Sequence, residues 1–296
     1  MPSELLTSRE GATLILTLSD PATRNTLSPQ VYSAGVEALN VAESDDSVRA
    51  VIVRGDGEHF CAGGDLNRIM GLRKTGPEAQ SESIALFHQL IESLRAFPKP
   101  VIAAVEGFAA GGGMSLALAC DLIVAASDAK FVMSYGKVGL TPDGGGSWHL
   151  ARLLPRALAL EMMWLAGPVK PERLQALGLV NRVTDKGQAL AEALALADKL
   201  AAMAPNAVAG AKELVARATI GTSSADWRAP SRRRSACWPP PGRTRRSRAI
   251  RGSRRSAPAA WTRSPPTSCA PRSPACSARR PTSSRCSSWA ARRSAP

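Results

Sequence analysis

The chain has 296 residues, of which 44% are apolar, enough to bury the core of one large domain or two ordinary ones. The formal net charge of +14 would indicate a nucleic-acid-binding protein if it were spread evenly. Residues 1–227, however, hold 20 Lys and Arg against 24 Asp and Glu, so nucleic acid is a disfavoured partner for this part. No uncharged apolar run is long enough to span a membrane, and Glu4, Arg9 and Glu10 interrupt any signal-peptide core. We expect a cytoplasmic chain with free thiols and no membrane partner.

In chain order, residues 1–227 show an alternation of strand and helix patterns. We predict a strand over 11–18, a helix over 29–44, a strand over 49–54, a helix over 82–97, a strand over 100–105, a helix over 112–120, a strand over 121–126, and helices over 171–177, 189–203 and 207–218. Ser28 followed by Pro29 is typical of a helix N-terminus. The alternation predicts an α/β core. We expect Met162, Met163 and Trp164 to lie in that core.

The last 69 residues, 228–296, differ in composition from the rest. They contain 18 Arg, 14 Ser and 11 Pro, and no Lys, Asp or Glu. Without apolar periodicity, such a segment cannot offset an ordering entropy of about 1–2 kcal/mol per residue, so we predict a disordered basic tail. Scattered Cys and Trp among Arg, Ser and Pro are typical of GC-rich codons read out of frame, which indicates a frameshift between about Thr222 and Arg228. A genuine RNA- or membrane-binding tail and an ordered second domain are the alternatives.

Two glycine-rich turns each follow a predicted strand. They are residues 59–66, HFCAGGDL, and residues 107–114, GFAAGGGM. Glycine lets a backbone N–H approach a ligand closely, and a helix N-terminus adds positive potential. Two such N–H groups that converge on one oxygen would form an oxyanion hole. Tight backbone packing is the alternative for either turn alone. Neither turn has a nucleotide-binding pattern, so nucleotide phosphate is a disfavoured ligand.

Together, in this order and spacing, the two turns resemble the enoyl-CoA hydratase/isomerase (crotonase) family. The resemblance continues in residues 99–107, KPVIAAVEG, 120–121, CD, 129–131, AKF, 140–146, LTPDGGG, and 176–180, ALGLV. It implies a spiral of ββα units followed by C-terminal helices that pack homotrimers, often paired into hexamers. We therefore divide the chain into a crotonase-like acyl-CoA-binding core over 1–205, the start of a helical trimerisation region over 206–227, and the tail over 228–296.

The resemblance also implies a substrate and its binding groups. Family members bind acyl-CoA thioesters, need no metal or redox cofactor, and stabilise a thioester enolate with two backbone N–H groups, which match Gly64 and Gly112. Residues 62–66 would hold the pantetheine and adenine end of CoA. The remaining matched or flanking substrate-binding residues are Arg24, Leu27, Ala62, Gly63, Asp65, Leu66, His88, Gly111, Ser115 and Tyr135.

The catalytic side chains favour one branch of the family. Simple hydratases carry two glutamates at the positions of Ser115 and Tyr135. A serine without a partner is not basic, and a tyrosine pKa lies near 10, so neither Ser115 nor Tyr135 is a base at neutral pH. Asp143 in LTPDGGGSW resembles the aspartate that shuttles a proton in the ring-1,2-epoxyphenylacetyl-CoA isomerase branch. One base that removes and returns a proton performs isomerisation, so we expect an isomerase, with hydratase activity as the alternative. A turn role before glycines is the structural alternative for Asp143.

Other groups have weaker functional interpretations. A histidine and an aspartate matching His88 and Asp143 act together in 4-chlorobenzoyl-CoA dehalogenase, but that enzyme has Trp where this chain has Tyr135. Dehalogenation is therefore a minor alternative, as is an acyl-CoA binder without turnover, and His88 is otherwise a half-buried helix residue. Tyr135 and Trp148 are candidates for either an acyl pocket or the core.

Three further residues have chemistry that the sequence does not connect to a site. Glu106 and Asp121 lie at predicted strand ends, where the family uses carboxylates structurally. Cys61 touches the first glycine turn but has no His or Asp neighbour in the sequence. We expect all three to be structural.

Overall fold

The computed structural model describes residues 3–75 and 77–220; the segment predicted to be a frameshifted tail lies outside the described residues. The strands are β1 (Glu4–Glu10), β2 (Thr13–Ser19), β3 (Ala50–Gly55), β4 (Val101–Val105), β5 (Phe108–Ala110), β6 (Leu122–Ala126), β7 (Lys130–Val132) and β8 (Arg182–Thr184). The helices are α1 (Pro29–Ser44), α2 (Leu66–Thr75), α3 (Pro77–Ala96), α4 (Gly112–Ala119), α5 (Gly146–Leu153), α6 (Arg156–Leu165), α7 (Pro171–Ala176), α8 (Ala189–Ala201) and α9 (Pro205–Ile220). Short 3-10 turns cover Pro21–Thr23 and Ser134–Val138.

Six strands form one sheet in the order β1-β2-β3-β4-β6-β8. The β1–β2 pair is antiparallel, and every other pair in this sheet is parallel. Strand β3 is buried on both faces: Val51 and Val53 join the larger core cluster, whereas Ala50 and Ile52 pack in a second cluster with α8. This double burial explains why the strand has a continuous apolar run instead of an alternating pattern.

The parallel strands bring four loops to one edge of the sheet. Strands β2, β3, β4 and β6 are neighbours in the sheet and run in the same direction. The chain then continues from β4 through β5 to α4, and from β6 through β7 to α5, a repeated strand–strand–helix order. Strands β5 and β7 pair in a separate parallel two-stranded sheet. Both glycine turns and the Asp143 loop therefore follow the carboxyl ends of adjacent strands, where open parallel sheets bind ligands.

Several predicted elements agree with the structure to within a few residues. Helix α1 begins at Pro29, and the Ser28 hydroxyl accepts a hydrogen bond from the Val31 N–H at 3.3 Å. Helix α3 begins five residues before the predicted start. The sequence did not predict β1, β5, β7, β8, α2, α5 or α6. Strand β1 is mostly exposed and lacks apolar alternation, while β5, β7 and β8 have only three residues each.

The prediction that Trp164 lies in the core is wrong. Met162 is buried and Met163 is partly buried against the core, but the Trp164 side chain is 73% exposed. Helix α6 packs through Leu158 and Met162. At about 100° per residue, Trp164 lies on the opposite side of the helix from Met162.

None of the helices in the described ranges combines the length and apolarity needed to cross a membrane.

Candidate active site

A cavity of about 460 Å³ opens where the loops of adjacent parallel strands meet. Its walls combine both glycine turns with the Asp143 loop and with α2 and α3. Residues that carry chemistry here include Gly64, Gly112, Tyr135, Asp143 and His88. The structure thus brings together residues that are up to 79 positions apart in the sequence.

Backbone hydrogen bonds hold the two glycine turns against each other. The Cys61 N–H donates to the Phe108 carbonyl at 2.9 Å, and the Ala110 N–H donates to the Cys61 carbonyl at 2.9 Å. Gly63 has φ of +95°, and a Cβ atom there would lie 2.7 Å from the Ala110 oxygen. The same Cβ would lie 3.1 Å from the Gly112 nitrogen. A side chain at position 63 would therefore force the two turns apart.

Two backbone donors of these turns face the cavity. Gly64 lies in the first turn, and Gly112 is the first residue of α4. Neither N–H donates a hydrogen bond within the part of the chain that the structure describes. The first N–H groups of a helix have no partner inside the helix, so the Gly112 donor is available to a ligand oxygen. Two unpaired N–H groups in one cavity are what an oxyanion hole requires. That Gly64 and Gly112 form one stays a prediction.

Asp143 accepts hydrogen bonds from two hydroxyl groups, one at its carboxylate and one at its backbone carbonyl. Tyr135 Oη donates to Asp143 Oδ1 at 2.5 Å. Ser115 Oγ donates to the Asp143 carbonyl at 2.9 Å and lies 3.3 Å from Tyr135 Oη. The Asp143 carbonyl also accepts the Gly146 N–H at 3.0 Å, so its backbone closes a turn while its side chain faces the cavity.

Burial sets the proton affinity of this group. It raises the pKa of Asp143, while the hydrogen bond from Tyr135 and the electrostatic influence of the nearby His88 lower it. The net pKa of Asp143 remains above the ordinary aspartate value. Burial and the negative charge of Asp143 raise the pKa of Tyr135, so the phenol stays neutral and remains a donor.

Helix α3 contributes His88 and Phe87 to this wall. Phe87 is buried, and a Cβ atom at Gly144 would lie 2.4 Å from its Cε1 atom. Gly144 has φ of +56°, a second reason why only glycine fits directly after Asp143. Close packing of Phe87 on this glycine fixes the distance between α3 and the Asp143 loop.

Comparison with known proteins assigns this arrangement to a family. Residues 8–231 match the family model described as enoyl-CoA hydratase/isomerase. A 1,2-epoxyphenylacetyl-CoA isomerase from Escherichia coli (strain K12) is 37% identical over 182 residues, which are 61% of this chain and 70% of the relative. The chain belongs to the enoyl-CoA hydratase/isomerase family.

Further similarities bear on the fold and on the type of enzyme. A 2,3-dehydroadipyl-CoA hydratase from Escherichia coli (strain K12) is 36% identical over 215 residues, 71% of this chain and 81% of that relative. The crystal structure of an enoyl-CoA hydratase from Polaromonas sp. JS666 is 55% identical with a TM-score of 0.74, and the match covers 75% of this chain and 87% of that one. The predicted crotonase fold and the assignment to crotonase-type acyl-CoA enzymes are confirmed.

The residues predicted to flank CoA in this family member have different surroundings. Leu27 is buried, lines the cavity, and donates its N–H to the Gly63 carbonyl at 2.8 Å. The Arg24 carbonyl accepts the Ala62 N–H at 2.9 Å, and its guanidinium lies outside the cavity, 5.7 Å from the centroid of the Phe108 ring.

The remaining CoA-flanking residues lie at the starts of two helices. Asp65 Oδ1 accepts the Asn67 N–H at 2.9 Å where α2 begins, and Leu66 is exposed. Gly111 donates its N–H to the Val132 carbonyl at 2.8 Å just before α4. That all these residues bind CoA stays a prediction.

Four other residues named from the sequence lie away from the cavity of this crotonase-type chain. Glu106 accepts the N–H groups of Gly187 and Ala189, and Asp121 accepts the Val101 N–H and an ion pair from Lys212. Cys61 is fully buried, and burial raises the pKa of its thiol to about 12. Trp148 does not line the acyl cavity proposed for it; its ring lies between the guanidinium groups of Arg95 and Arg152.

Some cavity residues were missed in the sequence analysis. Tyr32, Arg68 and Ser83 line the cavity from α1, α2 and α3. Asn25, with φ of +60°, supports the first glycine turn by donating to the carbonyls of Asp56 and His59. Only the polar residue Tyr32 within the apolar face of α1 gave a signal that could have been followed.

The described ranges contain no cluster of three His, Cys, Asp or Glu side chains placed to hold a metal ion. That the reaction needs no metal or redox cofactor stays a prediction from the family resemblance.

Proposed function

We propose that this chain is a crotonase-type isomerase that shifts a proton through a thioester enolate, on a linear enoyl-CoA or a ring-epoxide acyl-CoA. The observation that carries the proposal is that Asp143 is the one carboxylate among the described residues that line the cavity. It lies in the same cavity as the unpaired N–H groups of Gly64 and Gly112. One acid/base group is sufficient for a proton shift, whereas water addition through two carboxylates needs a second.

For a 3-enoyl thioester, the proposed steps balance as follows. The thioester oxygen accepts hydrogen bonds from the N–H groups of Gly64 and Gly112. Asp143 removes a proton from the carbon next to the thioester carbonyl, and the electron pair enters the enolate. Asp143 then returns the same proton two carbons farther along, and the double bond moves into conjugation with the carbonyl. Each oxyanion donor contributes roughly 10²- to 10³-fold to kcat.

The environment of Asp143 suits this role. A base works best when its pKa approaches the operating pH, and burial raises the pKa of Asp143 towards that range. Tyr135 and Ser115 hold the carboxylate and the loop backbone in one orientation. The two hydroxyl groups therefore keep the Asp143 carboxylate in position to take up and release one proton.

Hydratase activity is the second candidate, because relatives of this chain are named both as isomerases and as hydratases. In that reaction a second group would have to manage a water proton, and His88 is the titratable side chain in the cavity that could do so. Product mass separates the two reactions, since a hydratase adds one water and an isomerase leaves the mass unchanged.

The test is turnover of a panel of 3-enoyl-CoA, 2-enoyl-CoA and ring-epoxide thioesters by the wild type and by Asp143→Asn. We expect isomerised product from the wild type, and a kcat lower by about 10²- to 10⁴-fold in the variant, because a positioned acid/base contributes that much. Binding of acyl-CoA should persist because the amide is nearly isosteric.

The matched control is Asp128→Asn, which removes a surface carboxylate paired with Lys186. A kcat of Asp143→Asn within about threefold of wild type would reduce Asp143 to a turn residue. Tight binding of all thioesters without turnover would identify an acyl-CoA binder, and release of chloride from a 4-chlorobenzoyl thioester would identify a dehalogenase.

We also propose that the protein, with an in-frame C-terminal segment, assembles as a homotrimer or a hexamer. Trp164 and the adjacent Leu165 are 73% and 71% exposed at the end of α6, and large exposed apolar side chains side by side are typical of contact surfaces. Light scattering tests this by the mass of the assembly.

A further inference from the structure

Arg68 places a positive charge in the wall of the cavity. It lies on α2, and its Nη1 donates to Ser83 Oγ of α3 at 2.8 Å. Ser83 precedes Phe87 by four residues, which is about one helical turn or 5–6 Å along α3. Phe87 packs beside Gly112 and Gly144 at the end of the cavity that holds the oxyanion donors. The contact with Ser83 therefore places the guanidinium about one turn along α3 from Phe87.

This guanidinium has no acidic partner among the described residues. No carboxylate of residues 3–75 or 77–220 forms an ion pair with Arg68, and its buried Nε–H has no hydrogen-bond acceptor. Burying a charge without a counter-charge is unfavourable, so such a group is better satisfied when a ligand brings the opposite charge. Arginine is also the side chain that matches a carboxylate with two parallel hydrogen bonds.

Tyr32 lies between this charge and the catalytic end. Its ring centroid lies 5.3 Å from that of Phe87, and its hydroxyl is within electrostatic range of both Arg68 and Asp143. Burial raises the pKa of Tyr32, which keeps the phenol neutral and its proton available for a ligand oxygen. Arg68 and Tyr32 together thus offer hydrogen-bond donors in the wall that α1 and α2 contribute to the cavity.

We propose that Arg68, supported by Tyr32, determines specificity by selecting acyl-CoA thioesters whose acyl chain ends in a carboxylate. This rests on the proposed function in one respect: the thioester lies at Gly64 and Gly112, so the end of the acyl chain extends towards α2 and α3. Ile69, Leu72 and Ile84 supply the apolar wall for the intervening carbons.

The experiment measures binding without turnover. Saturated acyl-CoA thioesters are compared in pairs of equal chain length, one ending in a carboxylate and one in a methyl group, by isothermal titration calorimetry over increasing length. We expect the carboxylate-ended member of one length to bind the wild type about 10- to 100-fold more tightly, as one charge-assisted hydrogen-bonded contact contributes. Arg68→Met should abolish this preference, and Arg68→Lys should restore part of it.

Lys74→Met is the matched control, because it removes one positive charge from an exposed position of the same helix. It should leave the preference unchanged. Equal affinity of the wild type for both members at every length would overturn the proposal without need of any variant. Equal weakening of both members by Arg68→Met would also overturn it, and would place the guanidinium on the CoA moiety.

Failure of the proposed function gives a different result. If Asp143 does not move the proton, the turnover of Asp143→Asn stays normal while the binding preference of the wild type is unaffected. If Arg68 does not select carboxylates, the binding preference is missing while the effect of Asp143→Asn on turnover remains.

Discussion

The hydrogen bond from Tyr135 and the burial of the site have opposite effects on the pKa of Asp143. Burial raises the pKa of the carboxyl, and the short hydrogen bond from Tyr135 Oη lowers it. The bond thus sets how much of the carboxylate is ionised at a given pH. An aspartate in the same cavity without this donor would hold its proton more tightly.

We predict that Tyr135→Phe moves the acid limb of the kcat/KM profile to higher pH, by about one unit. Loss of one hydrogen bond to a charged group corresponds to roughly that shift. The sign follows because the base must be ionised in the free enzyme, and removing the donor raises the pKa of Asp143. The measurement is kcat/KM against pH. An unmoved acid limb with an otherwise folded variant would mean that Tyr135 does not tune the carboxylate.

The sequence predicted individual residues of the site better than their contacts. Asp143, Gly64 and Gly112 were named from the family resemblance of their local motifs, and the structure places all three in one cavity. The contact between Tyr135 and Asp143 depends on how the 3-10 turn Ser134–Val138 leads into the next loop, which no local pattern encodes. Arg68 was missed for the same reason, because its place in the cavity wall depends on how α2 packs against α3.

At the scale of elements, α4 contributes an N-terminus rather than a side chain. Its first residue, Gly112, supplies an N–H, and proline is tolerated at a first helical position because the missing N–H is otherwise unpaired. Gly112 therefore permits a substitution that removes the donor at modest cost to the helix.

We predict that Gly112→Pro lowers kcat by about 10²- to 10³-fold relative to Gly112→Ala, because only the proline variant lacks the oxyanion donor. The alanine variant is the matched control: it keeps the N–H, and its Cβ would lie 3.2 Å from Leu27 Cδ1. Circular dichroism verifies that both variants fold. Equal kcat values for two folded variants would rule out this N–H as a donor.

Helix α9 is attached to the sheet through one charged side chain. Lys212 Nζ lies 2.7 Å from Asp121 Oδ2, and Asp121 in turn accepts the Val101 N–H at the start of β4. The two side chains are 17% and 27% exposed. Burial raises the pKa of Asp121, and the charge of Lys212 partly offsets that rise.

We predict that Lys212→Met lowers the free energy of unfolding by about 1–3 kcal/mol at neutral pH, because it leaves a mostly buried carboxylate without its cation. Its removal raises the folded-state pKa of Asp121 further. The loss is therefore greatest at neutral pH and decreases as the pH falls and Asp121 takes up a proton. Urea unfolding at several pH values measures it. In the double variant Lys212→Met with Asp121→Asn the pH dependence of the loss should disappear; its persistence would assign the effect to other groups.

Helices and strands were predicted from the sequence where local residues mark their ends. Ser28 and Pro29 gave the start of α1 because the cap and the fixed φ of proline act within one turn. Strand β1 was missed because its sequence, ELLTSRE, has mostly exposed side chains, so pairing with β2 and not burial keeps it in place. Trp164 was misplaced because an apolar residue in an apolar helix carries no information about which face packs.

The charge of the whole molecule is divided sharply between two parts of the sequence. Residues 1–227 are mildly acidic, whereas residues 228–296 contain 18 Arg and no acidic residue. The match to the family model ends at residue 231, close to the point where the composition changes.

We predict that the coding DNA after Thr222, read in one of the other two frames, encodes an amphipathic helical sequence with apolar periodicity. The physical reason is that the proposed trimer or hexamer would need apolar helix faces at this point. Translation of the two frames is the measurement, and light scattering of the repaired chain should then give a trimer or a hexamer. If neither frame yields such a sequence, the Arg-rich segment is genuine, and binding to a polyanion should fall steeply with salt.

The contact between the turns that contain Gly63 and Gly112 has a consequence for how new activities evolve. Because backbone contacts hold the two turns together, few side-chain substitutions elsewhere in the chain can alter the spacing of the two proposed oxyanion donors. The group proposed to move the proton, by contrast, is one side chain, Asp143, held by Tyr135 and Ser115. A single-codon change at any of these three positions can alter the chemistry while the thioester is still held in place. New reactions can therefore arise on this framework by small mutational steps, each starting from a protein that already binds its substrate.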